Sequence, residues 1–263
     1  CGLGGRANRL LLHGERELPE ILRSNAFPEA GYWFGSVSGA WLGVRAGEIS
    51  HGGAHAHADQ LSFVLTVSGY DVIVDPGTGV YSADVDMRNA YRATSAHNAP
   101  QLNEREANRI PKGMAGLFRM ADDTKTEVMA WEMTSERVLF EGRHYGFCVD
   151  REDSVCTRAL LLEKGRLEVV DHISCLQKGD RVGWSLSFAP GIEVEAVAGG
   201  AVITFGDQNM RISTNPAMDC IVGDVPFSPS YGVEVPARRL QLRHTFQGDS
   251  DEELRIEMHW DDK

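Results

Sequence analysis

From Lys125 to Trp260 the chain is a succession of short apolar or alternating segments separated by turn residues, a pattern that leaves few folds open. The segments are Lys125–Met133, Arg137–Asp150, Val155–Glu163, Leu167–Ser174, Val182–Phe188, Ile192–Val197, Ala201–Phe205, Met210–Thr214, Leu240–Phe246 and Leu254–Trp260. Lys164-Gly165, Lys178-Gly179-Asp180 and Gly199-Gly200 punctuate them. Upstream, Tyr32–Val37 and Ala40–Arg45 read as a hairpin around Ser38-Gly39, and Leu61–Val67 with Asp71–Val74 as another around Gly69-Tyr70. Strands this numerous without crossover helices cannot build a parallel sheet and must stack as antiparallel ones. The expected fold is all-β: a large multi-stranded antiparallel β-sandwich. At 263 residues and 42% hydrophobic content the chain can fill such a core, to which Trp131, Trp184 and Trp260 are assigned.

Only the beginning departs from this. Ala7–Arg23 has helical spacing, with Leu10, Leu11, Leu12, Leu18, Ile21 and Leu22 on one stripe, interrupted at Gly14 and Pro19. The expected division is a short N-terminal helix within residues 1–25 and a sandwich over 26–263. Cys1-Gly2 reads as a lipoprotein-type start or, more simply, as a fragment boundary. No run of about 18 apolar residues is present, so no membrane span is expected. A formal charge of −12 argues against nucleic acid as a partner. The five cysteines are odd in number and irregular in spacing, and are read as mostly buried free thiols.

The chemistry concentrates between His51 and Asp75, HGGAHAHADQLSFVLTVSGYDVIVD. His55 and His57, one residue apart, project from one face if that piece is extended. Asp75 and His97 also stand at segment ends. Two imidazoles and a carboxylate suit zinc, and suit calcium or manganese less well because of the nitrogens. Closing such a site is demanding. A turn at Gly69-Tyr70 sets Asp75 opposite Val64, leaving His57 seven positions further along, about 23 Å at strand rise. The site closes only if Gly52–Gln60 folds back over the sheet, which its paired glycines and small alanines permit. Without that closure these are loop histidines.

Residues 77–115 read as a long irregular region, and such regions inside compact domains are usually functional or disordered. Between Arg88 and Arg119 lie six basic residues (Arg88, Arg92, Arg105, Arg109, Lys112, Arg119) against Glu104 and Glu106. Guanidinium groups grip carboxylates and sulfates, so with Tyr81 and Tyr91 they could line a groove for an acidic sugar. Local ion pairing would consume them equally well. HxH followed by a strand is also similar to the first cupin motif, but PGTGVY lacks the histidine a second cupin motif needs.

Taken together and in order, PEAGYWFGS, HAHADQLSF, the strand ending in DPGTGVY, and RNAYRATSAHNAP resemble the heparinase II/III-like polysaccharide lyases over Phe27 to Pro111. The resemblance implies an N-terminal α/α toroid followed by the sandwich, with Ala7–Arg23 as the toroid's last piece. It also implies β-elimination on a uronic-acid-containing glycan. His55 would be the histidine of the catalytic face, and His57, Asp75 and His97 would hold a metal, usually zinc, that braces the loops. Arg88, Arg92 and Asn98 would line the cleft. In this family the catalytic tyrosine and a group neutralising the carboxylate come from the toroid, so the chain alone is expected to turn over little substrate. The same resemblance implies a missing or separate toroid domain and a periplasmic or secreted location; an oligomer stays open. Heparan-type chains, alginate and bacterial exopolysaccharide remain open as substrates. The competing class is a non-catalytic glycan-binding or structural sandwich stabilised by its metal.

Overall fold

The computed structural model describes residues 25–49, 51–148, 154–214, 218–248 and 253–261; the helix expected over Ala7–Arg23 lies outside them. The first strands are β1 (Asn25–Phe27), β2 (Tyr32–Val37), β3 (Ala40–Arg45), β4 (Ser62–Val67) and β5 (Tyr70–Ile73). Helix α1 (Val85–Arg92) and β6 (Gln101–Leu102) follow, then β7 (Glu127–Met133), β8 (Arg137–His144), β9 (Cys156–Glu163) and β10 (Arg166–Ile173). The series continues with β11 (Arg181–Ser187), β12 (Glu193–Val197), β13 (Gly200–Phe205) and β14 (Gln208–Thr214). It ends with β15 (Asp219–Ser230), β16 (Val233–Thr245) and β17 (Glu253–Trp260).

These strands form a five-stranded sheet (β1-β2-β3-β4-β5), an eight-stranded sheet (β12-β13-β14-β17-β10-β9-β8-β7) and a four-stranded sheet (β15-β16-β11-β6). The five- and four-stranded sheets join where the Val74 amide donates to the Ser187 carbonyl at 2.9 Å and Ile73 bridges Phe188. Strands such as β9 alternate buried and half-buried residues along their length. Their inward side chains, among them Leu160, Leu162, Val169, Ile256 and Met258, meet Leu42, Leu65, Trp184 and Leu242 in one core running through all three sheets. This is the expected antiparallel sandwich. No helix among the described residues is long and apolar enough to cross a membrane.

The hairpin at Ser38-Gly39 forms as expected: both residues have positive φ (44° and 77°), and Val37 pairs with Ala40. The next turn differs by one residue. Ser68 and Gly69 take the positive φ values, 49° and 83°, and Val67 rather than Ser68 opens the ladder by pairing with Tyr70. That turn alone would carry Asp75 two positions toward the histidine segment; a bulge between Leu65 and Thr66 takes one back by pairing Leu65 with Ile73, so the net shift is one residue.

Two further departures have clear causes. The irregular region contains α1, whose N-cap Asp84 accepts the Met87 amide at 2.9 Å, with Asp86 in its first turn and Arg92 in its last. The long β15–β16 ribbon was hidden by its prolines. β15 is an edge strand, and Pro226 faces Pro236 at a position where neither owes the ladder a donor. Of the assigned tryptophans, Trp184 and Trp260 are buried and Trp131 packs half-buried against the core. The thiols are less buried than expected: Cys156 is enclosed, Cys148 and Cys220 are half-buried, and Cys175 is exposed.

A buried polar cluster ties the layers together. Arg158 on β9 donates to both carboxylate oxygens of Asp171 on β10 at 2.7 and 2.8 Å, with both side chains fully enclosed. The same guanidinium reaches the carbonyls of Leu61 and Asn98, each at 2.9 Å. Trp184 on β11 donates its indole N–H to Asp171 at 2.7 Å. One cation thus connects the eight-stranded sheet to the segments that carry the candidate site.

Candidate metal centre and active-site face

The segment between β3 and β4 folds back over the sheet, as site closure requires. Gly52 and Gly53 have φ of 70° and 73°, and a Cβ on Gly53 would lie 2.6 Å from the Met120 carbonyl oxygen. The Met120 amide donates to Gly52 at 3.1 Å and the Ala58 amide to Arg92 at 2.8 Å, so two other segments hold the fold-back in place. Leu61, at φ 64°, turns the chain into β4 while its amide bonds Arg45.

That fold-back brings His57 to Asp75, at the end of β5, and to His97, beyond α1. One ligand atom from each lies within 4.8 Å of the others, and all three side chains are buried. His97 Nδ1 and Asp75 Oδ2 are 2.8 Å apart, and the Gly77 amide donates to Asp75 Oδ1 at 2.9 Å. His57 Nε2 meets the Thr78 hydroxyl at 3.0 Å. Two buried nitrogens, His57 Nδ1 and His97 Nε2, take no hydrogen bond, which is costly for a polar atom out of water. Orphaned ring nitrogens beside a carboxylate are the donor set a divalent cation with nitrogen affinity accepts.

Electrostatics separate the two imidazoles. Burial, with the neighbouring His97, pushes His57 down to about 3, so it stays neutral, the form that ligates metals. Burial would also lower His97, but Asp75 outweighs it and raises its pKa. Burial would raise Asp75, yet the charge and hydrogen bond of His97 carry it below the usual carboxylate range. Burial raises the Asp59 carboxyl, which lies 3.8 Å from Arg45.

His55 stands two residues before His57 and is exposed, its ring 5.9 Å from Tyr81 in an edge-to-face contact. The other residues assigned to a cleft are placed differently. Arg88 is buried and donates to the carbonyls of Leu117 (2.9 Å) and Ala54 (3.0 Å). Arg92 is fully buried and donates to Leu117, Gly116 and Arg119 at 2.9, 3.1 and 2.8 Å. Both tie the 113–120 loop to α1 through main-chain carbonyls. Asn98 is buried too, clasping the Phe63 backbone through its Oδ1 at 2.9 Å and its Nδ2 at 2.6 Å. Tyr91 is buried with its hydroxyl on Glu234 at 2.6 Å, and Arg109 grips Asp123. Tyr81 is half-buried beside His55. Lys112 and Arg119 remain exposed and enter no ion pair among the described residues.

Several residues at this face carried no sequence signal that singled them out. Thr78 sits in DPGTGVY, where Asp75 and Tyr81 carried the signal. Phe118, 45% exposed, and Tyr231, 62% exposed, are isolated aromatics in loops distant along the chain. Arg239 on β16 donates to the Ala96 carbonyl at 3.4 Å, beside His97.

Comparison with known proteins identifies the architecture. Among solved structures, heparan sulfate lyase HepC from Pedobacter heparinus superposes with a TM-score of 0.72 at 18% identity, covering 95% of this chain and 38% of that one. A structure of heparinase III gives 0.67 at 17% identity, covering 91% of this chain and 36% of the other. The chain thus spans less than two fifths of the length of these structures, and at such identities the likeness is one of fold. No curated protein matches. The family model described as heparinase II/III-like, C-terminal, matches residues 22–260. By that match across nearly its whole length, the chain belongs to the heparinase II/III-like family, as the C-terminal domain.

Proposed function

We propose that this chain is the sandwich portion of a polysaccharide lyase that cleaves a uronic-acid-containing glycan by β-elimination. The observation carrying this reading is the placement of exposed His55 on the same folded-back segment as buried His57, which sits with Asp75 and His97. In β-elimination a base removes the C5 proton, its electron pair becomes the C4–C5 double bond, and the C4–O4 bond breaks with a proton delivered to O4. Charge accumulating on the uronate carboxylate must be neutralised as C5 is deprotonated. His55 faces solvent beside Tyr81 and serves as the sandwich's contribution, by proton transfer or by stabilising developing charge. The base or neutralising groups that His55 does not supply are assigned to an α/α toroid.

His57, Asp75 and His97 hold zinc in this reading. Zinc takes imidazole nitrogen and carboxylate oxygen, the atoms these three side chains would offer it within 4.8 Å of one another. Bound there, the ion braces the segments carrying His55, Thr78 and Asn98. Thr78, hydrogen-bonded to His57, fixes the orientation of that ring from outside the ligand set.

The test is unsaturated-uronate absorbance with heparan sulfate, alginate and an acidic bacterial exopolysaccharide, using this sandwich joined to a toroid domain. Turnover on at least one glycan, abolished by His55→Ala with metal content unchanged, is expected. Turnover indifferent to His55→Ala would assign the sandwich a structural or glycan-holding role instead.

A further inference from the structure

We propose that Tyr81, Phe118 and Tyr231 form a preorganised platform on which a pyranose ring of the glycan stacks, beside His55 and outside the bond-breaking position. The inference rests on the reading that the chain acts on a uronate glycan, and adds to it a binding subsite.

Three aromatic residues from three separate segments converge here. Tyr81 follows β5, Phe118 comes from the 113–120 loop, and Tyr231 caps the β15–β16 ribbon. The Tyr81 and Phe118 rings are 6.5 Å apart and within 9° of parallel, and Tyr231 lies 5.8 Å from Tyr81. A single exposed aromatic is unremarkable, but contiguous ones on a soluble face mark a contact surface. The cluster continues into His55, 5.9 Å from Tyr81.

The rings are held from below. The Arg88 guanidinium carbon lies 4.3 Å from the Tyr81 centroid and 5.1 Å from that of Phe118. Arg88 is itself fixed by the Leu117 and Ala54 carbonyls. The ribbon tip bearing Tyr231 is docked by the Gly232 amide on Gly79 (2.8 Å) and the Ser228 amide on Pro76 (2.9 Å). Binding therefore orders little that is not ordered already.

The chemistry selects a sugar over a purely apolar ligand. A pyranose offers polarised C–H bonds on a flat face that suit the negative face of an aromatic ring, while tyrosine hydroxyls meet its rim. Arg119, next to Phe118, and Lys112, just before that loop, supply positive charge outside any ion pair among the described residues in a chain of −12, as an acidic glycan requires.

Titration calorimetry with size-defined heparan-type and alginate oligosaccharides tests this on the chain, Tyr231→Ala, and Phe118→Leu, which keeps bulk but removes the ring. Each variant should bind about tenfold more weakly, with thermal unfolding and metal content unchanged. Oligosaccharide affinity equal to that of the parent chain in both variants would overturn the platform while leaving the lyase reading intact. Failure of the parent chain to bind any of these glycans would overturn the platform, whereas the lyase reading falls only if the sandwich joined to a toroid domain turns over none of them. Sedimentation of the same proteins separates a different occupant: loss of self-association in the variants with unaltered glycan affinity would make this face a contact between copies, and would overturn the platform.

Discussion

Replacing Arg158 with methionine should destabilise the fold and loosen the proposed metal centre by separable routes. The guanidinium makes two bonds to Asp171 and one each to the carbonyls of Leu61 and Asn98, all between 2.7 and 2.9 Å. Methionine fills similar volume but leaves the Asp171 carboxylate enclosed with the Trp184 indole N–H as its remaining bond. Breaking a buried pair in this way costs about 3–5 kcal/mol, most of it the uncompensated charge. Adding Asp171→Asn removes that charge and keeps an acceptor for Trp184, so the double variant should recover more than half of the loss. It should not recover zinc affinity, because the Asn98 carbonyl beside His97 stays released. Urea unfolding gives the stabilities and the coupling energy of the cycle, and chelator competition gives the zinc affinities. A loss below about 1 kcal/mol for Arg158→Met would refute the assignment of a structural ion pair. Restoration of both stability and zinc affinity in the double variant would refute the anchoring of the His97 segment.

Two further perturbations follow from local geometry. His144 is fully enclosed, and burial, with Arg158 nearby, depresses its pKa to about 3. The unfolded chain binds this proton near pH 6.5 and the folded chain does not, so stability falls as pH drops from about 6.5 toward 3, by up to about 1.4 kcal/mol per unit. His144→Asn keeps an acceptor at the Nδ1 position for the Gly146 amide and should flatten this part of the stability–pH curve; an unchanged slope would count against it. Gly53→Ala should cost clearly more than Gly52→Ala in thermal unfolding. The two share a positive φ, but a Cβ at Gly53 meets Met120 backbone whereas one at Gly52 meets open space. Left-handed strain alone costs about 1–2 kcal/mol, so equal losses would mean that the fold-back is not held against Met120.

The sandwich was legible because its information is local. Alternation along β8, β9 and β17 declares an inward face, and Ser38-Gly39 declares a turn that accepts positive φ. The convergence of His57, Asp75 and His97 followed from the family resemblance, and the Gly52-Gly53 pair showed that the chain could bend enough to allow it. What escaped was set by tertiary context. The one-residue shift of the turn to Ser68-Gly69, and the bulge at Leu65 and Thr66 that partly compensates it, leave no mark in the sequence. Pro226 and Pro236 argue locally against a strand, and nothing local says that they oppose each other beside a sheet edge. Arg88 and Arg92 were read as ligand-seeking charges, but their partners are main-chain carbonyls, which have no letter in the sequence. Helix α1 was obscured by its brevity and by an inward face of arginine and tyrosine in place of leucine.

Metal analysis of the purified chain decides whether the buried triad is a metal centre. After reconstitution and desalting, elemental analysis should find one zinc per chain, bound through nitrogen and oxygen at about 2.0–2.1 Å by X-ray absorption. His57→Ala and His97→Ala should each lose the ion, and His55→Ala should keep it. Zinc absent after reconstitution, or retained when both His57 and His97 are replaced, would contradict the assignment.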